Sequence, residues 1–163
     1  MTRSWMTFLA VMFILIAMFW SFGGKEIVDY VPYYYQRLTG QSVTVSVKGV
    51  TIGTEVEHSA HAKAKGLSGR RNLPLDRGML FRFETPGKYE FIMQDMRFAL
   101  DIIWIQDGKI VDIWKSASPN SDPPVSHIPT QVASDVLEVR AGVAKNWEVG
   151  NTVEIKSNGW FFR

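Results

Sequence analysis

"LDIIWIQDGKIVDIWK", residues 100–115, is the stretch whose reading decides the fold. Two runs of branched and aromatic residues flank Asp107-Gly108, a dipeptide suited to the left-handed angles of a type I′ turn, so the stretch reads as a β-hairpin. In its first half, alternation puts Leu100, Ile102 and Trp104 on one face and Asp101, Ile103 and Ile105 on the other. Both faces are apolar, so Asp101 is expected at an inner surface or its rim. A carboxylate there needs a partner, and Arg70 or Arg97 is the expected one.

Working outward, "MLFRFE" and "KYEFIM" flank "TPG" (residues 79–93) and read as a second hairpin. The four strands together form the centre of an antiparallel sheet or small barrel. Downstream, "SASPNSDPPVSHIPTQ" (116–131) is a proline-rich loop long enough to be functional or mobile. "SDVLEVRAG" and "NTVEIK" read as closing strands, with a short second helix or turn through "AGVAKNWEVG" (141–150). Upstream, Val43, Val45 and Val47 alternate with Thr44, Ser46 and Lys48, and Gly49 offers a turn before "VTI" resumes extended chain. Thr54 and Glu57 have the spacing of a capping box. The residues after them place Val56, Ala60, Ala64 and Leu67 on one stripe, with Gly66 near the end, which predicts one main amphipathic helix. The fold class expected is α+β.

The chain is 163 residues long, enough for one domain of ordinary size and an appendage. From Trp5 to Phe22 there is no charge, and the run is about long enough to cross a hydrocarbon core as a helix. Its bulky end, "FWSFGGK", favours an uncleaved anchor over a signal peptide. Residues 1–24 are therefore expected to be the anchor, 25–41 a juxtamembrane connector and 42–163 a single β-rich soluble domain. Trp5 and Trp20 suit the two membrane interfaces. Tyr33, Tyr34 and Tyr35 suit the headgroup level too, or pack on the domain. Arg3 and the amino terminus make the N-terminal side the positive one, which predicts a cytoplasmic N-terminus and an extracytoplasmic domain.

With no cysteine, a disulfide framework, a thiolate metal site and a cysteine nucleophile are excluded. A formal net charge of +2 does not point to a nucleic-acid partner. His58 and His61 share a helical face, but no third ligand is near and the zinc-protease spacing is missing, so an exposed face is the expectation and no metal is assigned. No cofactor is implied. Neither a nucleophile elbow nor a phosphate-binding glycine loop is present, which argues against an enzyme.

"AKGLSGRRNLPLDRGMLFRF", "LDIIWIQDGKIVDI" and "ASDVLEVRAGVAKNWEVGNTVEI" together resemble, in order and spacing, the bacterial and archaeal domain of unknown function 192. The resemblance runs from about residue 45 to residue 156 and implies a strand-rich α+β domain, commonly exported or membrane-tethered. Where that family has "FWMKNT", this chain has Phe91 to Met96: Phe91 and Met93 match, Asp95 stands in place of an asparagine, and Ser68 replaces a methionine after "GL".

Arg70, Gln94, Asp95, Arg97 and Asp101 thus form a polar constellation in an apolar setting, with two readings. In one, Asp101 and an arginine hold the loop near residue 95 to the sheet. In the other, Gln94, Asp95 and Arg97 line a groove for a small polar or anionic ligand, with Trp104, Phe91 and Met93 as its apolar wall. The functions to weigh are a membrane-anchored binding module for a small molecule or envelope glycan, an accessory module that meets another envelope protein through the proline-rich loop, and a hydrolase.

Overall fold

The computed structural model describes residues 42–57, 65–119 and 121–158, all within the compact unit Gly40–Arg163. Nine strands occur among them: β1 (Ser42–Val47), β2 (Val50–Glu57), β3 (Arg77–Gly87), β4 (Phe91–Ile92), β5 (Leu100–Gln106), β6 (Lys109–Ala117), β7 (Ser126–His127), β8 (Ala133–Arg140) and β9 (Val153–Asn158). Seven form one sheet in the order β6-β5-β8-β3-β2-β1-β9, and β4 pairs with β7 separately. The large sheet curls into a half barrel. Its two outer regions meet where Lys109 bridges Thr152, the Gly150 amide donates to the Ile110 carbonyl at 2.8 Å, and the Val153 amide donates to the Gly108 carbonyl at 2.8 Å.

Two hairpins close on residues with left-handed backbones. Lys48 and Gly49 have φ of 48° and 80°, and Asp107 and Gly108 have 50° and 69°, the pattern of type I′ turns whose twist matches that of the flanking strands. The Asp-Gly hairpin expected from the sequence is therefore present as β5–β6, closed by Gln106 opposite Lys109.

Among the described residues, the α+β expectation is corrected to an almost wholly β fold. Thr54 and Glu57, spaced like a capping box, are strand residues of β2, whose Gly53–Glu57 run pairs in parallel with Arg77–Phe81 of β3. The Thr54 hydroxyl donates to the Val43 carbonyl at 2.9 Å instead of capping a helix. Tertiary ladders override a local signal worth only about 1 kcal/mol. Residues 58–64, including His58, His61, Ala60 and Ala64, lie outside the described residues. The expected second helix at 141–150 is a run of turns closed by short-range bonds such as Trp147 N–H to the Ala144 carbonyl at 3.0 Å. Among the described residues, no helix is long and apolar enough to cross a membrane. The expected membrane span with Trp5 and Trp20, and the connector with Tyr33, Tyr34 and Tyr35, lie outside them.

The "TPG" hairpin is corrected too. After Gly87 the chain turns back and the Tyr89 ring stacks on Phe83 at 3.5 Å between centroids. No ladder forms there: β3 pairs with β2 over Arg77–Phe81 and with β8 over Gly78–Arg82 and at Gly87, and Phe91–Ile92 pair with β7. Nor is β8 a closing strand. It lies between β3 and β5 at the centre of the sheet, antiparallel to both.

Strand alternation produces two cores. Val45, Ile52, Leu80, Ile103, Leu137 and Trp147 belong to one. Leu67, Met79, Phe81, Ile102, Trp104 and Val136 belong to the other. With both faces of the central strands covered, a polar residue in the middle of β5 or β8 is buried whichever way it points.

Candidate functional site

That burial singles out Asp101 and Glu138, two of the three polar or charged residues in the buried class among those described. They meet it differently. Asp101 Oδ1 accepts from the Ser116 amide at 2.8 Å, and Oδ2 accepts from the Gly142 and Ala144 amides at 2.9 Å each. Its partners are thus backbone amides, where the sequence suggested Arg70 or Arg97. A carboxylate can accept several N–H bonds at once; the turns after β8 supply two of them and β6 the third.

Glu138 has no such arrangement. Strand β8 puts it opposite Met79 of β3 and Ile102 of β5, and its Oε2 is buried without a hydrogen-bond partner. Burial pushes its carboxyl up to about 8, with the positive charge of Arg70 pulling the other way. It is therefore mostly neutral at pH 7. Arg70 is held by Glu55 of β2 in a two-pronged pair, at 2.8 and 2.6 Å, with side chains only 18% and 11% exposed. Such fork-to-fork pairs are the stronger kind of ion pair.

Glu138 lies against a groove of about 550 Å³ whose lining includes Lys65, Ser68, Glu90, Gln94, Asp95 and Met96 with Phe83, Tyr89 and Phe91. Two segments far apart in sequence are stitched together to form its rim. The Ser68 hydroxyl donates to the Gln94 carbonyl at 2.9 Å, and the Gly69 amide donates to the Asp95 carbonyl at 2.9 Å. Asp95 has φ of 56°, a left-handed backbone that aspartate and asparagine tolerate better than other side-chain-bearing residues. Aspartate in place of asparagine keeps this turn while adding a charge.

Of the residues singled out by sequence, Gln94 and Asp95 line the groove, and Arg70, paired with Glu55, acts on its Glu138 through charge. Arg97 is exposed and Asp101 is taken up by backbone amides; neither is among the lining residues. Trp104 is fully buried, where its indole N–H donates to the Tyr89 carbonyl at 2.9 Å and its ring meets Phe91 edge-on at 5.7 Å. It sits behind the groove's wall. Sequence reasoning missed Glu138 and Glu55. Glu138 carries the same signal that exposed Asp101, an acid within an apolar run, here "VLEV".

A second polar cluster lies beside Trp104. His127 packs against the Trp104 and Trp114 rings at 5.1 and 5.7 Å, and its Nε2 is 3.4 Å from Asp112 Oδ2. The Thr130 amide donates to the same oxygen at 2.8 Å. Burial would raise the Asp112 pKa, but the Thr130 and Ile113 amides and the bond and charge of His127 together hold it below its ordinary value. This cluster ties β7 and the end of the proline-rich loop to β6. Among the described residues no group of three or more metal-ligating acids or histidines converges.

Comparison with known proteins places these features. The family model of domain of unknown function 192, described as an uncharacterized ACR, matches residues 43–156. A protein of unknown function from Novosphingobium aromaticivorans DSM 12444 is similar in structure, at TM-score 0.62 and 29% identity, over 69% of this chain and 83% of that one. A protein of Sinorhizobium meliloti 1021 with a proposed role as a transcription regulator is also similar, at TM-score 0.60 and 26% identity, over 72% and 92% of the two chains. No curated protein matches.

Proposed function

We propose that this chain, which belongs to the domain of unknown function 192 family, is a membrane-anchored extracytoplasmic module that binds a small polar molecule. The observation that carries the reading is Glu138, a buried carboxyl with an unpartnered oxygen beside a groove of about 550 Å³. Leaving a buried polar atom unpaired costs on the order of 1–3 kcal/mol, which a ligand hydrogen bond offsets. The volume falls within the ordinary range of small-molecule sites. The anchoring is supported by the uncharged run Trp5–Phe22 and by Arg3 on its N-terminal side.

The test is a thermal-shift screen of the full chain against glycan fragments, nucleotides, phosphates and amines, alongside the groove-filling variant Ser68→Trp. A ligand at a hundred times its Kd adds about 2.7 kcal/mol of stability. A rise in Tm that Ser68→Trp abolishes is the expected result, and silence across every class overturns the reading. A phosphatase that is active only outside the cytoplasm, fused to the C-terminus, tests the orientation separately.

A second reading, contact with an envelope protein, is favoured by exposed Ile92 and Ile128, at 52% and 57%, beside the β4–β7 pair. Ile128→Lys, at a position outside the groove's lining, would weaken such a contact and leave groove binding unchanged.

A further inference from the structure

We propose that the occupant of this groove is a small organic cation: a protonated amine on a short apolar body, with its ammonium directed at Glu138 Oε2. The proposal rests on the binding-module reading and assigns it a ligand class.

Charge balance around the groove is the first ground. The basic residue on its lining is Lys65, set against Glu90 and Asp95, with Glu138 a third acid that stays mostly protonated at pH 7 in the empty groove. Arg70, whose charge acts on Glu138, is already engaged by both oxygens of Glu55, so that pair is close to neutral overall and offers an incoming anion little. An acidic rim attracts cations and repels carboxylates and phosphates.

The second ground is the wall. Phe83, Tyr89 and Phe91 supply aromatic surface beside the acids. An ammonium gains both from a carboxylate and from aromatic faces once water is excluded.

The third is the unpartnered oxygen. Glu138 faces Met79 from β3 and Ile102 from β5, neither of which can donate to it. The charged groups around it are Arg70 from the 65–70 turn, backed by Glu55 of β2, with Lys65, Glu90 and Asp95 at the rim. A bound ammonium supplies the missing donor. On binding, the Glu138 carboxyl releases its proton to solvent and the ammonium N–H bonds to the carboxylate. One positive charge enters as one leaves, and the buried site gains no net charge.

The experiment is titration calorimetry of the full chain with three probes that share one ring: benzylamine, benzyl alcohol and benzoate. Benzylamine is expected to bind at least about tenfold more tightly than the other two. Below the Glu138 pKa of about 8, its affinity should rise about tenfold per pH unit and then level off, since the site must lose a proton first. Near pH 6, buffers of different ionisation enthalpy should report about one proton released per ligand. Glu138→Gln should abolish both the affinity and the pH dependence while still melting cooperatively; if it does not fold, the pH profile and proton count of the unsubstituted chain decide.

Benzoate binding as tightly as benzylamine, or benzylamine affinity independent of pH, overturns the cation assignment. If no benzyl probe binds but another class shifts Tm in a way that Ser68→Trp abolishes, the cation assignment fails and the binding module stands. If nothing binds, both fail.

Discussion

Asp101 Oδ2 accepts the Ala144 amide at 2.9 Å, across 43 positions of sequence, and so fixes the turns after β8 against the start of β5. The same carboxylate holds the Gly142 and Ser116 amides. Asp101→Ala leaves three part-buried or buried N–H groups without their acceptor and is expected to cost about 3 kcal/mol or more. Asp101→Asn is expected to cost nearly as much, since its amide sets a donor against donors. Chemical denaturation at neutral pH measures both, and a loss below about 1 kcal/mol would remove Asp101 from the account of stability.

The Glu138 pKa, about 8 in the folded chain against an ordinary 4.5, has a definite sign in stability. Below pH 4.5 the carboxyl is protonated in both the folded and unfolded chain. As pH rises from about 4.5 through about 8, the unfolded chain ionises first, so stability is progressively lost. Tm measured from about pH 5 to 8.5 should fall across this window in the unliganded protein, and Glu138→Gln should flatten the slope. An equal slope in the variant would assign it to another group.

Arg70 and Glu55 form a pair that is mostly withdrawn from water. Arg70→Met is expected to destabilise by about 2–4 kcal/mol, because it strands the mostly buried Glu55 carboxylate. Adding Glu55→Gln should recover part of the loss. The coupling from a double-mutant cycle should exceed about 1 kcal/mol, and simple additivity would mean that the pair contributes nothing.

Asp112 behaves oppositely to Glu138. Its pKa lies below the ordinary value, so its stabilising effect is present above about pH 4 and is lost as pH falls through the lowered value. Asp112→Asn should shift the acid limb of the unfolding profile less steeply with pH and loosen the end of the proline-rich loop, read as faster hydrogen exchange at the Thr130 amide, whose acceptor is Asp112 Oδ2. Unchanged exchange there would refute the tether.

What the sequence determined by itself is local. Asp107-Gly108 forms a hairpin because two adjacent residues must adopt left-handed angles, a condition that depends on nothing distant. Val43, Val45 and Val47 face the core because period-two alternation is a property of the strand itself. Asp101 was legible as a buried acid because both faces of its strand are apolar.

Which groups meet Asp101 was decided only by the tertiary structure, and so was the site. Thr54 to Glu57 carry a helix-start spacing, yet pairing with β3 draws them into the sheet. Strand β8 enters between β3 and β5, bringing Glu138 next to Arg70 across 68 positions. Long-range strand order follows from how two apolar faces can be covered at once, a condition on the whole chain that no short window contains. The groove inherits that dependence. Its acids come from β8, from the segment after β3 and from the turn at residue 95, and they become a site only when the sheet has closed.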